Sequence, residues 1–258
     1  MHPYLDVGGP IGMAHRGFSR DGLENTMTAF AAAVALGLTH VETDVHATRD
    51  GRLVAFHDHR LDRVTDRTGA IADLDWAQVR AARVGADERV PLLEDVLGTW
   101  PHLRVNVDVK DDPAVQPVAD VVRRTGALRR VCITSFDDRR TAAVRSLLGP
   151  GLATSAGRAG VVRWRLGSAL PGPLGVAAAR PADRSAVAVQ VPLRSGALRV
   201  VTSRSVEVAH RLGLQVHVWT VDDAPTMRRL LDLGVDGLIS DRADTLVQVL
   251  RERADGRA

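Results

Sequence analysis

An α/β fold closed into a single-domain (β/α)8 TIM barrel is the class that this sequence predicts. Apolar β-type runs alternate with helical patterns from end to end of the 258 residues. Eight strand signals over that length match the arithmetic of a barrel. Glycines 37, 126, 149, 213 and 234 stand where helices should end. An open doubly wound sheet is the competitor. It needs a phosphate-binding glycine fingerprint after its first strand, and His15-Arg16-Gly17 is not one. No interdomain linker is evident, so residues 1–258 are expected to form one domain.

In order, the predicted strands are Ile11–Ala14, His40–Val45, Arg104–Val109, Val131–Ser135, Leu152–Ser155, Ala186–Val191, Leu214–Thr220 and Val235–Ser240. A short extended piece, Leu53–Phe56, follows the second. Helical periodicity covers Thr26–Leu36, Pro113–Thr125, Asp138–Leu148, Val161–Leu166, Ser203–Leu212, Ala224–Leu233 and Arg242–Arg251. Residues 169–185, rich in Pro, Gly and Ala, read as a long loop with a weak helix. The stretch between Thr65 and Pro91 is short, so no sizeable insertion domain is expected over the mouth.

Composition narrows the function classes. Hydrophobic residues make up 45% of the chain, which is ample for a full core. A single cysteine, Cys132, leaves no internal disulfide framework. No run approaches the roughly 20 apolar residues of a membrane span, and Met1 to Pro10 lacks the pattern of a signal peptide. The expectation is a cytoplasmic enzyme without stable membrane insertion. The isoelectric point near 9.9 comes with a net charge of only +3. It reflects arginines that are scattered rather than clustered, and aromatics are 3% of residues. A nucleic-acid partner is therefore not expected. Lys110 is the only lysine, which points to a position where a guanidinium does not fit.

In a barrel of this kind, chemistry belongs at the C-terminal ends of the strands. The first strand runs into His15-Arg16-Gly17, joining a titratable imidazole to a permanent cation. On the second, Glu42 and Asp44 lie two residues apart and share a strand face. Two such carboxylates repel unless a cation lies between them, and a hard divalent ion such as Mg2+ or Ca2+ suits oxygen donors. Pairing of the two with arginines is the purely structural alternative. His46 has the same parity but is placed on the rim, with His59 as a solvated neighbour. His57 closes the extended piece and supplies a second imidazole, so that one can accept a proton while the other gives one. Asp58 reads either as its orienting partner or as a turn carboxylate. On the third strand Asn106, Asp108 and Lys110 share one face and three valines the other. Asp108 is then a third oxygen ligand, with Lys110 at the strand end. On the seventh, Trp219 is a candidate wall of the substrate pocket and His217 a hydrogen-bonded core residue. Asp241 is expected to cap the last helix.

These residues fall into motifs that resemble the glycerophosphodiester phosphodiesterases over essentially the whole chain. The ordered matches are His15-Arg16-Gly17, Glu24-Asn25-Thr26, Ala29-Phe30, Glu42-Thr43-Asp44-Val45, Thr48-Arg49-Asp50-Gly51, His57-Asp58 and Leu61–Thr65. They continue through Val90–Glu94, Asn106–Lys110, Val218–Val221 and Val235–Asp241. The resemblance implies a TIM barrel that hydrolyses a small-molecule glycerophosphodiester to glycerol 3-phosphate and an alcohol. It implies one divalent cation, Mg2+ or Ca2+, on Glu42, Asp44 and Asp108. It also implies that His15 and His57 are general acid and base, and that Arg16 and Lys110 steady the phosphate. The nucleophile is either water or the substrate's own glycerol hydroxyl. Three departures stand out. Asp108 replaces the commoner Glu, Leu23 replaces a Pro, and the last motif ends in Ser240-Asp241. A lysophospholipase D-like or sphingomyelinase D-like enzyme on the same barrel is the alternative; it wants an apolar acyl groove, and the sequence shows no aromatic cluster for one. A catalytically inactive binding module fits less well, because both histidines and all three carboxylates are present.

Overall fold

A computed structural model describes residues 2–181 and 183–256. Eight parallel strands form the sheet: β1 (Ile11–His15), β2 (His40–Ala47), β3 (Arg104–Val109), β4 (Val131–Thr134), β5 (Ala153–Ala156), β6 (Ala188–Pro192), β7 (Gln215–Trp219) and β8 (Gly237–Ser240). Each pairs with the next, and β8 returns to β1 with Gly237 opposite Ile11. The sheet therefore closes, as the alternation of elements predicts, and no strand edge is left open around the ring.

The barrel helices are α1 (Met27–Ala35), α4 (Val115–Arg124), α5 (Asp138–Leu148), α6 (Arg158–Gly167), α7 (Gly172–Ala179), α8 (Ser203–Arg211), α9 (Ala224–Asp232) and α10 (Ala243–Ala254). Two more, α2 (Trp76–Arg80) and α3 (Leu93–Thr99), precede β3. Neither α2 nor α3 shows a helical period long enough to read in the sequence, and α7 is the weak helix expected within 169–185. The side-chain oxygen of Thr26 accepts the Ala29 N–H, so Thr26 is the N-cap of α1 rather than its first turn.

Strand parity divides the residues as expected. Val105, Val107 and Val109 of β3 are fully buried in the outer core against the helices. Asn106 and Asp108 alternate with them and face the barrel interior. Inside, Asn106 and Gln190 exchange amide hydrogen bonds of 3.1 and 2.9 Å, and Gln190 also reaches His217. His217 is a core histidine with its other nitrogen on Gln215, and burial pushes its pKa down to about 3. Gly237 on β8 leaves room for that ring: a Cβ there would lie 2.7 Å from His217 Cδ2. Tyr4, fully buried, plugs the opposite end with Met13, Cys132 and Ile239. Its carbonyl takes the ring nitrogen of His40.

The segment between β2 and β3 holds more structure than its sequence pattern shows. The short strand Leu53–Ala55 runs antiparallel to β2. The chain then builds a small core of its own, in which Phe56, Leu61, Ile71, Val79, Val84 and Val90 are buried. The Thr65–Pro91 stretch is thus an insertion with packing of its own. Its apolar residues are spaced too irregularly to announce a helix or a strand, which is why the sequence shows no element there.

Candidate active site

The strand ends bring most of the predicted residues to one mouth. His15, Arg16, Glu42, Asp44, His57, Asp108, Lys110 and Trp219 all line a single cavity of about 660 Å3. Register explains the proximity. His15 is opposite Glu42 between β1 and β2, and Asp44 is opposite Asp108 between β2 and β3. Residues opposed in neighbouring strands with the same parity point the same way.

The two histidines are held alike. His15 Nδ1 donates to Asp241 Oδ1 at 2.7 Å, and His57 Nδ1 donates to Asp58 Oδ1 at 2.6 Å. An ionised carboxylate only accepts, so a proton sits on Nδ1, and Nε2 is the nitrogen that takes up or gives the second proton. The His15 Nε2 lies 3.8 Å from Glu42. Burial disfavours the charged form of His15, but the Asp241 bond and the Glu42 charge outweigh it and raise its pKa. Asp241 was expected to cap the last helix. The cap residue is instead Arg242, and the Asp241 carboxylate is turned towards His15.

Asp58 is an orienting residue rather than a mere turn carboxylate. Arg63 clamps it, with Nε 2.6 Å from Oδ2, and the Asp58 carboxyl is held down to about 2 by Arg63 and His57 against burial. Arg63 also donates to both oxygens of Glu24, which in turn accepts from Arg16 Nη1 at 3.0 Å. A continuous line of charged bonds thus links His57 to Arg16. Burial works to raise the Glu24 pKa, and the two arginines lower it overall.

Arg16 has φ 55, in the left-handed region, and its backbone N–H meets the Glu42 carbonyl at 3.0 Å. Gly17, the next residue, has φ +81, and a Cβ there would fall 2.7 Å from the Ala29 carbonyl carbon. The triplet His15-Arg16-Gly17 therefore needs its glycine to pass under α1. Asn25, at φ 57, accepts from the Thr43 hydroxyl at 2.7 Å and brings its amide to 3.4 Å from Asp44 Oδ2.

Glu42, Asp44 and Asp108 are all buried. Burial, Asp44 and Asp108 push Glu42 well above the usual carboxylate range, while His15 and Lys110 oppose that. Asp44 moves the other way despite its burial, because Lys110 and Arg16 stand beside it. Lys110 Nζ lies 2.7 Å from Asp44 and 2.6 Å from Asp108, and Arg16 Nε lies 3.1 Å from Asp44. The structural alternative of arginine pairing is thus partly realised at Asp44. Asp108 differs: its Oδ1 is buried and has no hydrogen-bond partner. A buried carboxylate oxygen without a donor is costly. An all-oxygen set with one oxygen unmatched is what a hard divalent cation fits.

His46 does not lie on the rim. β2 runs on to Ala47, so His46 stays in the strand and is buried. Its ring nitrogens meet Asp111 at 2.7 Å and the His57 carbonyl at 3.1 Å, and His59 packs edge-on at 4.9 Å. One donor atom each of His46, His59 and Asp111 lies within 4.8 Å of the others, the spacing of a second possible metal group. Both His46 nitrogens are already bonded, so an ion there must first displace one of those bonds.

A family model for the glycerophosphoryl diester phosphodiesterase family matches residues 15–245, from the first catalytic candidate into α10. The chain belongs to that family. A relative named "probable glycerophosphodiester phosphodiesterase 2" from Mycobacterium tuberculosis is 44% identical over 254 residues, covering 98% of this chain and 95% of its own. A glycerophosphodiester phosphodiesterase from Caldanaerobacter subterraneus is 28% identical and covers 93% of this chain and 97% of its own. The crystal structure of an Agrobacterium tumefaciens glycerophosphodiester phosphodiesterase superposes with a TM-score of 0.75 at 24% identity, over 93% of this chain and 98% of that one. At that identity it bears on the fold alone.

Sequence reasoning missed three residues of this phosphodiesterase site. Arg63 carried no signal beyond its place in a motif. Asp241 lies 226 residues from its partner. Phe136, 62% exposed, stands edge-on to Trp219 at 6.1 Å with Lys110 Nζ 6.0 Å from its ring. No local pattern in the sequence marks any of the three for the site.

Proposed function

We propose that the chain is one metal-dependent domain that hydrolyses glycerophosphodiesters to glycerol 3-phosphate and an alcohol. The observation that carries this reading is the unmatched Asp108 oxygen beside Glu42 and Asp44, with His15 and His57 each pinned through Nδ1 at the same cavity. Glu42, Asp44 and Asp108 would hold one divalent cation, Mg2+ or Ca2+. When bound, it supplies positive charge to the phosphate oxygens and to the charge that builds up in the transition state.

Arg16 and Lys110 steady the phosphate from the cavity wall, and Trp219 borders the substrate's organic part. One histidine takes the proton of the attacking hydroxyl through its free Nε2. The other gives a proton to the departing alkoxide. Asp58 and Asp241 keep both rings in the tautomer that this exchange requires. The relative at 44% identity supports the substrate class through its name. No described helix is long and apolar enough to cross a membrane, and the cytoplasm is the compartment we assign.

The test is release of glycerol 3-phosphate from glycerophosphocholine and glycerophosphoethanolamine, each with Mg2+, Ca2+ or EDTA. Metal-supported release that falls by about 10²–10⁴ in His15→Ala and His57→Ala is expected. Turnover near that of the wild type in both variants overturns the assignment.

A further inference from the structure

His46, His59 and Asp111 come together beside His57, and the proposed reaction uses none of the three. They arrive from separate places: His46 from β2, His59 from the start of the insertion, and Asp111 from the loop after β3. One donor atom of each lies within 4.8 Å of the others.

Both partners of the His46 ring can only accept. Nε2 meets the His57 carbonyl at 3.1 Å, and Nδ1 meets Asp111 Oδ2 at 2.7 Å. A neutral imidazole carries one N–H, and an ionised carboxylate has no proton to give. With that N–H on Nε2 for the carbonyl, the Nδ1 lone pair faces a carboxylate oxygen at contact distance. Two acceptors so close, on a side chain only 1% exposed, need a positive centre between them. A second proton supplies one, but it leaves His59 without a part. A cation coordinated by both atoms uses all three side chains.

Partners outside the group already aim its ligands. The His57 carbonyl fixes the His46 tautomer and leaves Nδ1 as the donor atom. Asp111 Oδ1 accepts the Ala114 N–H at 3.0 Å, which turns Oδ2 towards the ring. Metal-binding histidines and carboxylates are held by partners of this kind. The His59 carbonyl accepts the Ile71 N–H at 2.9 Å, so the insertion anchors its backbone. Its side chain is exposed and stands edge-on to His46 at 4.9 Å. Tetrahedral ligands about 2.0–2.2 Å from an ion stand about 3.4 Å apart. Nδ1 and Oδ2 therefore open slightly, and the exposed His59 ring closes on the ion without breaking any core.

We propose that His46 Nδ1, Asp111 Oδ2 and one nitrogen of His59 bind a divalent transition-metal cation of the Zn2+ class, at a site separate from Glu42, Asp44 and Asp108. Two imidazoles with one carboxylate suit Zn2+, whereas three carboxylates suit Mg2+ or Ca2+. The fourth position of the tetrahedral site is left to water. The ion ties β2, the insertion and the loop after β3 to one another next to the His57 carbonyl. The inference does not depend on the phosphodiester reading.

The experiment titrates the tag-free full chain, stripped of metal and then held in saturating Mg2+, with Co2+ and with Zn2+. Co2+ reports nitrogen ligation through its visible absorption, and Zn2+ binding is followed by calorimetry. One equivalent of each ion is expected, with Zn2+ displacing Co2+. His59→Ala and Asp111→Asn should weaken binding by more than the roughly 10–100-fold that loss of an orienting partner costs. Both variants should fold, because His59 is exposed and Asn keeps an oxygen for the Ala114 N–H. Asp108→Asn should keep the equivalent. At about a hundredfold excess over Kd, Zn2+ should raise the wild-type Tm by about 5–10 °C and leave that of His59→Ala unchanged. No binding in Mg2+ overturns the inference and assigns the contact between Nδ1 and Asp111 to a proton alone. Binding that survives His59→Ala and Asp111→Asn but not Asp108→Asn also overturns it, because the ion then sits on the three carboxylates. So does binding without a rise in Tm, which the histidines of an unfolded chain provide equally well.

Discussion

Asp241 Oδ1 accepts the Nδ1 proton of His15 at 2.7 Å, across 226 residues of sequence. This bond joins the first strand's end to the turn after the last strand, so barrel closure itself orients an imidazole. It also raises the His15 pKa against the effect of burial. Asp241→Asn keeps an acceptor but removes the charge. The limb of the kcat–pH profile that belongs to His15 is expected to move to lower pH. A limb that stays in place contradicts the pairing.

Arg63 acts through others. It holds Asp58, which holds His57, and it shares Glu24 with Arg16. Its side chain is half exposed, so its removal costs little packing. Arg63→Ala is expected to lower kcat by about 10- to 100-fold, as loss of an orienting partner does, with little change in Tm. A variant with full kcat shows that Asp58 holds His57 unaided.

Gly17 is required by close approach as well as by its φ of +81. In Gly17→Ala the new methyl meets the Ala29 backbone, not a flexible side-chain tip. Strain of this kind costs about 1–3 kcal/mol, and each kcal/mol lowers Tm by about 2–4 °C in a chain of this size. Thermal unfolding measures it, and an unchanged Tm contradicts the packing.

Acid should destabilise the fold well before the carboxylates titrate. Burial depresses His40 to about 4, despite its bond to the Tyr4 carbonyl, and His217 to about 3. Both folded values lie below the unfolded value of about 6.5, so the unfolded chain binds more protons in between. Their stabilisation is complete above about pH 6.5 and is lost as pH falls towards the folded values. At about 1.4 kcal/mol per pKa unit, His40 alone contributes on the order of 3 kcal/mol. Denaturant unfolding from pH 7 to 4 should show this slope, and His217→Gln should reduce it. A stability that is flat over that range refutes the buried-neutral assignment.

The fold was legible because a barrel repeats its signal. Strand period, helix period and terminal glycine recur, and β3 and α5 begin and end where their patterns do. The carboxylates of β2 and β3 were legible for a related reason: parity places Glu42, Asp44 and Asp108 on one face without any tertiary information. What the sequence hid depends on contacts between distant segments. Asp241 looked like a cap because a carboxylate before a helix usually is one. His46 looked like a rim residue because β2 seemed to end at Val45. The small core around Phe56 and Leu61 left no periodic trace.

The central claim is that a divalent cation on Glu42, Asp44 and Asp108 supports phosphodiester hydrolysis. The direct measurement is glycerol 3-phosphate release by metal-stripped wild type and Asp108→Asn, titrated with Mg2+ and Ca2+. The account predicts negligible release by the stripped protein and saturable recovery in the wild type, with Asp108→Asn needing far more metal. Full turnover by the wild type in excess EDTA would contradict it.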